Sequence, residues 1–263
     1  MRVVSLGTGD PEVAVVVCIH GDELCGKRAL DRFLDADPTV EAPVKFVVAN
    51  ERALDAGSRF VDEDLNRAFP GDPDADTHEG RLAAELLEEL AGLRVLDLHS
   101  THSSPEPFAL YQRATPGTFH VLARAGVDRA VDISHVPGGL VGYCDGAAVE
   151  CGLKGSEAAV DAAERILRGF LAGNGVIDAP ASLRDPEVFA VTERVEGAGY
   201  EFLGENFAAV PPGQPFARRG DEELTRPDCF YPVLMSTDGY DDIVGFAARR
   251  VGRLSDLDPD SGR

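Results

Sequence analysis

The amino-acid sequence predicts an α/β fold with a central, largely parallel β-sheet, followed by a smaller β-rich region. Up to about residue 171, short apolar runs rich in β-branched residues alternate with amphipathic helical segments, as in parallel sheets covered by helices. Beyond that point helical periodicity is lost, and short alternating stretches at residues 188–195 and 202–210 are separated by glycine and proline. We therefore predict an α/β domain over residues 1–180 and a β-rich domain over residues 181–263.

Each element of the α/β domain has its own signal. Uninterrupted apolar runs predict buried strands at residues 12–19, 44–49, 94–98, 108–112 and 147–149. Apolar side chains spaced three or four residues apart predict helices between the strands. One helix follows Gly21, a second is capped by Thr77 and ended by Gly92, and a third runs from Ser156 to about Leu171.

The composition excludes several classes of partner. The 263 residues carry a formal net charge of −21, and the lysines are Lys27, Lys45 and Lys154 alone. So acidic a surface repels nucleic acid and anionic membranes. Scarce lysine with abundant carboxylates resembles proteins of salt-accumulating organisms, so we expect a halophilic source. With no signal segment and no apolar run of membrane length, a cytoplasmic protein is expected, and the sequence leaves homo-oligomer formation open.

Two predicted strands end in histidine. His20 follows the first strand, with Glu23 three residues later across a glycine turn, and His99 follows the strand at residues 94–98. Carboxyl ends of parallel strands meet at one sheet edge, where such folds bind ligands. Two imidazoles and a carboxylate can form a catalytic zinc site, whose fourth position is left for water. The alternative is that each histidine only satisfies buried polar groups, which fits one histidine better than two.

A second cluster of polar residues has the sequence RFVDEDLNR at residues 59–67. Arginine can grip a carboxylate with two parallel N–H groups, and Asn66 can add a neutral donor. Asp64 can hold the second ring nitrogen of a metal-binding histidine. A solvated loop with local ion pairs is the alternative, and it is the commoner meaning of such a cluster taken alone.

Taken together, these motifs resemble a known family. The strings HGDE, DLNRAFPG, DLHS and AVECG, spread over residues 15 to about 170, are similar in order and spacing to the succinylglutamate desuccinylase and aspartoacylase family, relatives of the zinc carboxypeptidases. The stretch from Asn206 to Tyr240 also resembles the capping β domain of that family. The resemblance implies a zinc-carboxypeptidase-like, three-layer α/β/α domain with a mixed, largely parallel sheet, and a small C-terminal capping domain.

The resemblance also implies how the site would work. One zinc ion per chain would be held by His20, Glu23 and His99. Glu150 would take a proton from the attacking water and pass it to the departing amine. Arg59 would polarise the scissile carbonyl and stabilise the developing negative charge. The sequence agrees for the glutamate, because this carboxylate ends an apolar strand and is followed by glycine rather than by a cationic side chain.

The remaining implied roles concern the substrate and the periphery of the site. Asn66 and Arg67 would hold the α-carboxylate of an amino acid, and Tyr240 would contact the substrate from the capping domain. Asp64 would orient the first histidine ligand through its other ring nitrogen. His102 is expected beside the site or at the surface rather than as a ligand.

The reaction that the resemblance implies is zinc-dependent hydrolysis of the amide bond of a small N-acyl amino acid. In aspartoacylases proper a further arginine precedes the catalytic glutamate, whereas residues 135–146 here contain neither arginine nor lysine, which argues against N-acetylaspartate. A zinc carboxypeptidase acting on peptides is one alternative, although a capping domain favours small substrates. A catalytically inactive relative that binds metal or ligand is the other, although the intact Glu150 argues against it.

Overall fold

The computed structural model describes residues 1–239 and 241–257. Its strands are β1 (Arg2–Leu6), β2 (Val13–Val17), β3 (Val44–Val48), β4 (Arg94–Thr101), β5 (Phe108–Tyr111), β6 (Arg129–Asp132), β7 (Asp145–Leu153), β8 (Glu187–Glu196), β9 (Glu201–Phe202), β10 (Ala217–Arg219), β11 (Glu222–Leu224), β12 (Tyr231–Val233) and β13 (Ile243–Arg253). Its helices are α1 (Cys25–Asp35), α2 (Glu51–Ala56), α3 (Leu65–Ala68), α4 (His78–Glu89), α5 (Pro116–Arg124) and α6 (Glu157–Gly173).

A mixed, largely parallel sheet forms the centre of the fold, as predicted. Within the described ranges its ten strands have the order β1-β3-β2-β4-β7-β5-β6-β8-β13-β12. The pairs β3–β2, β2–β4, β4–β7, β5–β6 and β6–β8 are parallel. The pairs β1–β3, β7–β5, β8–β13 and β13–β12 are antiparallel. Every residue of β2 is buried, which explains its uninterrupted run of valine and alanine.

Helices cover both faces of this sheet and complete the three-layer α/β/α arrangement. On one face α1, α5 and α6 share a core that includes Leu30, Phe33 and Phe170. On the other face α3 and α4 bury apolar side chains such as Leu65 and Leu82. Because each fully buried side chain of this size contributes roughly 1.5–3 kcal/mol, these two cores stabilise the packing of the helices on the sheet.

Most elements predicted for the first 180 residues are present. Thr77 caps α4 and Ser156 caps α6, each accepting a hydrogen bond from the backbone N–H three residues further on. The sequence patterns did not indicate β1, α5 or β6. α5 starts with Pro116 and Gly117, a pair that is typical of turns, although proline is well tolerated in the first turn of a helix.

The C-terminal third contributes to two sheets. The region is rich in strands, as predicted: β8, β13 and β12 extend the main sheet, whereas β9, β10 and β11 form a small separate sheet. A strand over residues 202–210 is wrong beyond Phe202, because residues 203–209 form a loop in which Phe207 has a positive φ of 66°. The domain boundary at residue 180 stays a prediction. The strand that follows it, β8, pairs with β6 inside the main sheet.

The cysteines form no disulfide, and the described helices differ from membrane spans in length or apolar character. Four of the five cysteines are buried, Cys229 is exposed, and all five are free thiols. In the part of the chain that the structure describes, no helix combines the length and the apolar character needed to cross a membrane.

Candidate metal centre and active site

Three neighbouring parallel strands deliver the central residues of the site to one edge of the sheet. β2, β4 and β7 are adjacent, so their carboxyl ends lie together. His20 and Glu23 follow β2, while His99 near the end of β4 lies opposite Glu150 on β7. Gly21 lets the turn after β2 approach α2, because a β-carbon at this position would lie 2.2 Å from the helix backbone.

His20, Glu23 and His99 form a compact group of buried donors. One ligand atom from each lies within 4.8 Å of the other two. Nδ1 of His20 is 2.7 Å from Oε1 of Glu23, and Nδ1 of His99 is 3.0 Å from Oε2 of the same carboxylate. Two imidazole nitrogens and a carboxylate converging in this way are a donor set that suits zinc.

Each of these histidines contacts an aspartate through its other ring nitrogen. Oδ1 of Asp64 lies 3.1 Å from Nε2 of His20, and Oδ2 of Asp97 lies 2.7 Å from Nε2 of His99. In metal sites such carboxylates fix the tautomer and orientation of the imidazole. The sequence analysis assigned this role to Asp64 but missed Asp97, although residues two apart on a strand share a face and the D-L-H spacing carries that signal.

The charges within this group depend strongly on one another. Burial lowers the pKa of His20, but Glu23 and Asp64 outweigh it and hold the pKa above its ordinary value. Burial acts on His99 in the same sense, but Asp97 and Glu23 raise its pKa well above the usual range. Burial would raise the pKa of Glu23, yet the two histidines hold it well below. Metal coordination needs an unprotonated ring nitrogen, so a bound metal ion would compete with the protons that these carboxylates favour on the two imidazoles.

Glu150 lies beside the histidine–glutamate group with an unused acceptor. Its Oε2 atom is buried and has no hydrogen-bond partner among the described residues. Burial raises the pKa of Glu150 to about 7, with His99 opposing the rise and Glu23 adding to it. A carboxyl group with a pKa near neutrality can both accept and return a proton. The position therefore suits a general base that later acts as a general acid.

Arg59 lies at the same edge and is half-exposed. Its Nη1 donates to Oε1 of Glu23 at 3.1 Å, and its Nη2 donates to Oδ2 of Asp64 at 3.1 Å. These two contacts aim a guanidinium at the metal-binding group while leaving part of it accessible. Such a cation can stabilise negative charge that develops on a nearby oxygen.

The loop that carries Arg59 and Asp64 is held by a buried carboxylate that the sequence analysis missed. Glu79, near the start of α4, accepts hydrogen bonds from the backbone N–H groups of residues 61, 62 and 63 at 2.7, 3.0 and 3.3 Å. Nδ2 of Asn50 donates to it at 2.9 Å. Burial raises the pKa of Glu79, but these hydrogen bonds outweigh burial and hold the pKa below its ordinary value. No local pattern marks this residue, because its partners are distant in sequence.

Asn66 and Arg67 lie on α3 at the border of the same cavity. This cavity has a volume of about 940 Å³, and the site residues that line it are His20, Glu23, Arg59, Asp64, Asn66, Arg67, Asp97, His99 and Glu150. The guanidinium of Arg67 is exposed and, among the described residues, makes one hydrogen bond, to the carbonyl oxygen of Pro137 at 2.9 Å. His102 also lines the cavity, but it is exposed and stands outside the three-residue donor group. Tyr240 lies outside the described residues.

Known proteins resemble this chain in sequence and in fold. A stretch of 98 residues, 34% of this chain and 33% of the relative, is 31% identical to a probable aspartoacylase of Prochlorococcus marinus. The chain thus matches about a third of the length of such curated relatives.

Two solved structures share the fold. The product-bound ectoine utilization protein EutE (DoeB) from Ruegeria pomeroyi superposes with a TM-score of 0.74 and 22% identity, over 94% of this chain and 88% of that one. A succinylglutamate desuccinylase/aspartoacylase from Rhodobacter sphaeroides superposes with a TM-score of 0.76 and 19% identity, over 95% and 89%. At these identities the likeness concerns the fold.

The family itself is identified by the sequence of residues 9–152. Residues 9–152, which are 144 of the 263 residues, match the succinylglutamate desuccinylase/aspartoacylase catalytic domain. The matching region contains all four motifs, and with them His20, Glu23, Arg59, His99 and Glu150. The chain therefore belongs to the succinylglutamate desuccinylase/aspartoacylase family.

Proposed function

We propose that this chain is a zinc-dependent deacylase, which hydrolyses the amide bond of a small N-acyl amino acid. The observation that carries the proposal is the convergence of His20, Glu23 and His99 beside the buried Oε2 atom of Glu150, which has no hydrogen-bond partner in the described ranges. Family membership supports the same class of reaction, because relatives are named as succinylglutamate desuccinylases and aspartoacylases.

The donor set fits one zinc ion per chain. His20, Glu23 and His99 would hold the ion, while Asp64 and Asp97 would keep the two imidazoles oriented. Zinc at this position would supply Lewis acidity, which polarises a carbonyl group and makes water a stronger nucleophile.

Glu150 would carry the proton through the reaction. Its Oε2 atom would accept a proton from the water that attacks the acyl carbon, and would deliver it to the amide nitrogen as the C–N bond breaks. The products are the free carboxylic acid and the free amino acid. Arg59 would donate an N–H to the carbonyl oxygen while negative charge develops there.

Asn66 and Arg67 would hold the α-carboxylate of the amino acid. The exposed guanidinium of Arg67 keeps N–H groups available beyond its contact with Pro137, and bidentate binding of a carboxylate is the usual task of such a side chain. Tyr240 would contact the same substrate from the C-terminal region of the chain.

Metal content and amine release together test this proposal. Elemental analysis of protein purified without chelator should find one zinc per chain, and the zinc-loaded protein should release amine from N-acyl amino acids. Chelation should abolish the activity and added zinc should restore it. Faster cleavage of unblocked dipeptides would instead support the carboxypeptidase alternative. Zinc binding without turnover of either class would support a binding protein.

A further inference from the structure

The cavity beyond Glu150 has an apolar floor. Ala148 lies two residues before Glu150 on β7 and pairs with Leu110 on the neighbouring strand β5. Leu110, Ala148 and Val191 belong to one apolar cluster, and Ile133 packs against it. All four line the same cavity as the histidine–glutamate group. A substrate bound at Glu150 therefore has apolar surface directly beside it.

The cationic side chains around this cavity are largely committed to carboxylates of the protein. Apart from Arg67, the described arginines and lysine that line it form these ion pairs: Arg59 with Glu23 and Asp64, Lys154 with Asp22, and Arg194 with Glu196 and Asp242. The further histidines at the cavity, His102 and His135, are exposed. The described residues that form the floor, Leu110, Ile133, Ala148 and Val191, include no cationic side chain. A second carboxylate of the substrate buried there would lack a partner, which is strongly unfavourable.

The pair proposed to bind the α-carboxylate, Asn66 and Arg67, is held against the segment 136–139 at the border of the cavity. The carbonyl oxygen of Asn66 accepts a hydrogen bond from the segment 136–139 at 2.5 Å, and Arg67 donates to the same segment. Gln112, just beyond β5, donates to two carbonyl oxygens of that segment, at 2.5 and 2.6 Å. With the α-carboxylate of a substrate placed at Asn66 and Arg67 and its amide at Glu150, as proposed above, the α-carbon would lie between the two. Its side chain could then reach the floor, because Ala148 lies two residues before Glu150 on β7 and lines the same cavity.

We infer that the substrate is an N-acyl amino acid whose side chain is uncharged and apolar, of the size of leucine to phenylalanine. This inference rests on the proposed function and adds the substrate class. The apolar floor favours the burial of such a side chain, and it offers an acidic side chain no cationic partner among the described residues that form it.

Hydrolysis of a panel of N-acyl amino acids by the zinc-loaded protein tests the inference. kcat/KM should be about tenfold higher for N-acetyl-L-leucine than for N-acetyl-L-alanine, and about a hundredfold higher than for N-acetyl-L-aspartate. A preference for aspartate, glutamate or a cationic side chain would overturn the inference and leave the proposed function standing. A higher kcat/KM for N-hexanoylglycine than for N-acetyl-L-leucine would also overturn the inference, because the apolar floor would then bind the acyl chain and not the side chain of the amino acid. Hydrolysis of no panel member would overturn the proposed function and the inference with it.

Two floor variants test the geometry itself. Ala148→Leu fills the floor, so the ratio of kcat/KM for the phenylalanine derivative over the alanine derivative should fall about tenfold. Ala208→Leu makes the same change at an exposed alanine outside the cavity and serves as the control. If Ala148→Leu does not fold, Val191→Ala removes apolar contact instead, and the leucine-over-alanine ratio should fall. An unchanged ratio in a folded floor variant would overturn the inference.

Discussion

The carboxylate of Asp97 lies 2.7 Å from Nε2 of His99, and both side chains are almost fully buried on the same face of β4. The other oxygen of Asp97, Oδ1, is buried without a hydrogen-bond partner in the described part of the chain. Burying a carboxylate with a single imidazole partner costs free energy, so this arrangement indicates that the orientation of the imidazole matters. The pair therefore points Nδ1 of His99 at Glu23, where the three proposed metal ligands converge.

Replacing Asp97 should weaken zinc binding. Asp97→Asn keeps the shape of the side chain but removes the charge that orients His99, so zinc affinity should fall about 10- to 100-fold in a competition titration with a chelating dye. Asp74→Asn removes an exposed carboxylate that does not line the cavity, and this variant should bind zinc as the unchanged protein does. Zinc affinity of Asp97→Asn within twofold of the unchanged protein would contradict the role given to this contact.

Removing Arg67 should raise KM for substrates that carry an α-carboxylate. Loss of a charge-assisted contact costs about 1.5–3 kcal/mol, so Arg67→Met should raise KM at least tenfold for an N-acyl amino acid. The corresponding amino acid amide lacks the carboxylate, and its kinetics should change little. Arg81, like Arg67, is exposed and donates to backbone carbonyl oxygens, so Arg81→Met is the matched control. Equal effects on both substrates would argue against carboxylate binding.

Glu79 should make stability depend on pH in a defined window. Its pKa is held below the ordinary value, so its contribution is complete above about pH 4.3, the ordinary glutamate value, and is lost as the pH falls through the folded-state value. Glu79→Gln should therefore lower the free energy of unfolding by about 1.5–3 kcal/mol at pH 7, with a smaller deficit in more acidic buffer.

Denaturant unfolding at several pH values measures the deficit caused by Glu79→Gln. Glu88→Gln changes an exposed glutamate of the same helix and should show no such trend. A deficit that stays constant down to pH 3, or grows on acidification, would contradict the hydrogen-bonded carboxylate described here.

High salt should stabilise the protein. With a formal net charge of −21, repulsion between surface carboxylates opposes the compact state. Raising KCl from about 0.1 M to about 1 M shortens the screening length from about 10 Å to about 3 Å, so Tm should rise. NaCl at equal ionic strength should give a similar rise. An unchanged or lower Tm would contradict the expectation of a salt-adapted surface.

The convergence of His20, Glu23 and His99 at one sheet edge could be predicted from the sequence because its signals are local. The apolar runs of β2 and β4 end at His20 and near His99, and strand adjacency then brings the two histidines together. β6 has only four residues with a charged residue at each end, and α5 starts with a proline–glycine pair, so neither has a clear local pattern.

Residues that act through distant contacts could not be predicted from the sequence. Glu79 holds the loop before α3 through backbone groups 16 to 18 positions away, which no helical period reveals. Asp97 could have been found from its spacing to His99. Alternation of apolar and polar residues predicts a strand at 203–209, but the chain forms a loop there. Phe207 in this loop has a positive φ, which is incompatible with a regular strand.

The most direct test of the account is the rate of Glu150→Gln measured together with its zinc content. The change keeps the size of the side chain but removes its ability to accept and return a proton. We predict one zinc per chain, an unchanged fold by circular dichroism, and a kcat for amine release lowered about 10²- to 10⁴-fold. A folded, zinc-loaded Glu150→Gln protein that hydrolyses N-acyl amino acids at the unchanged rate would contradict the account.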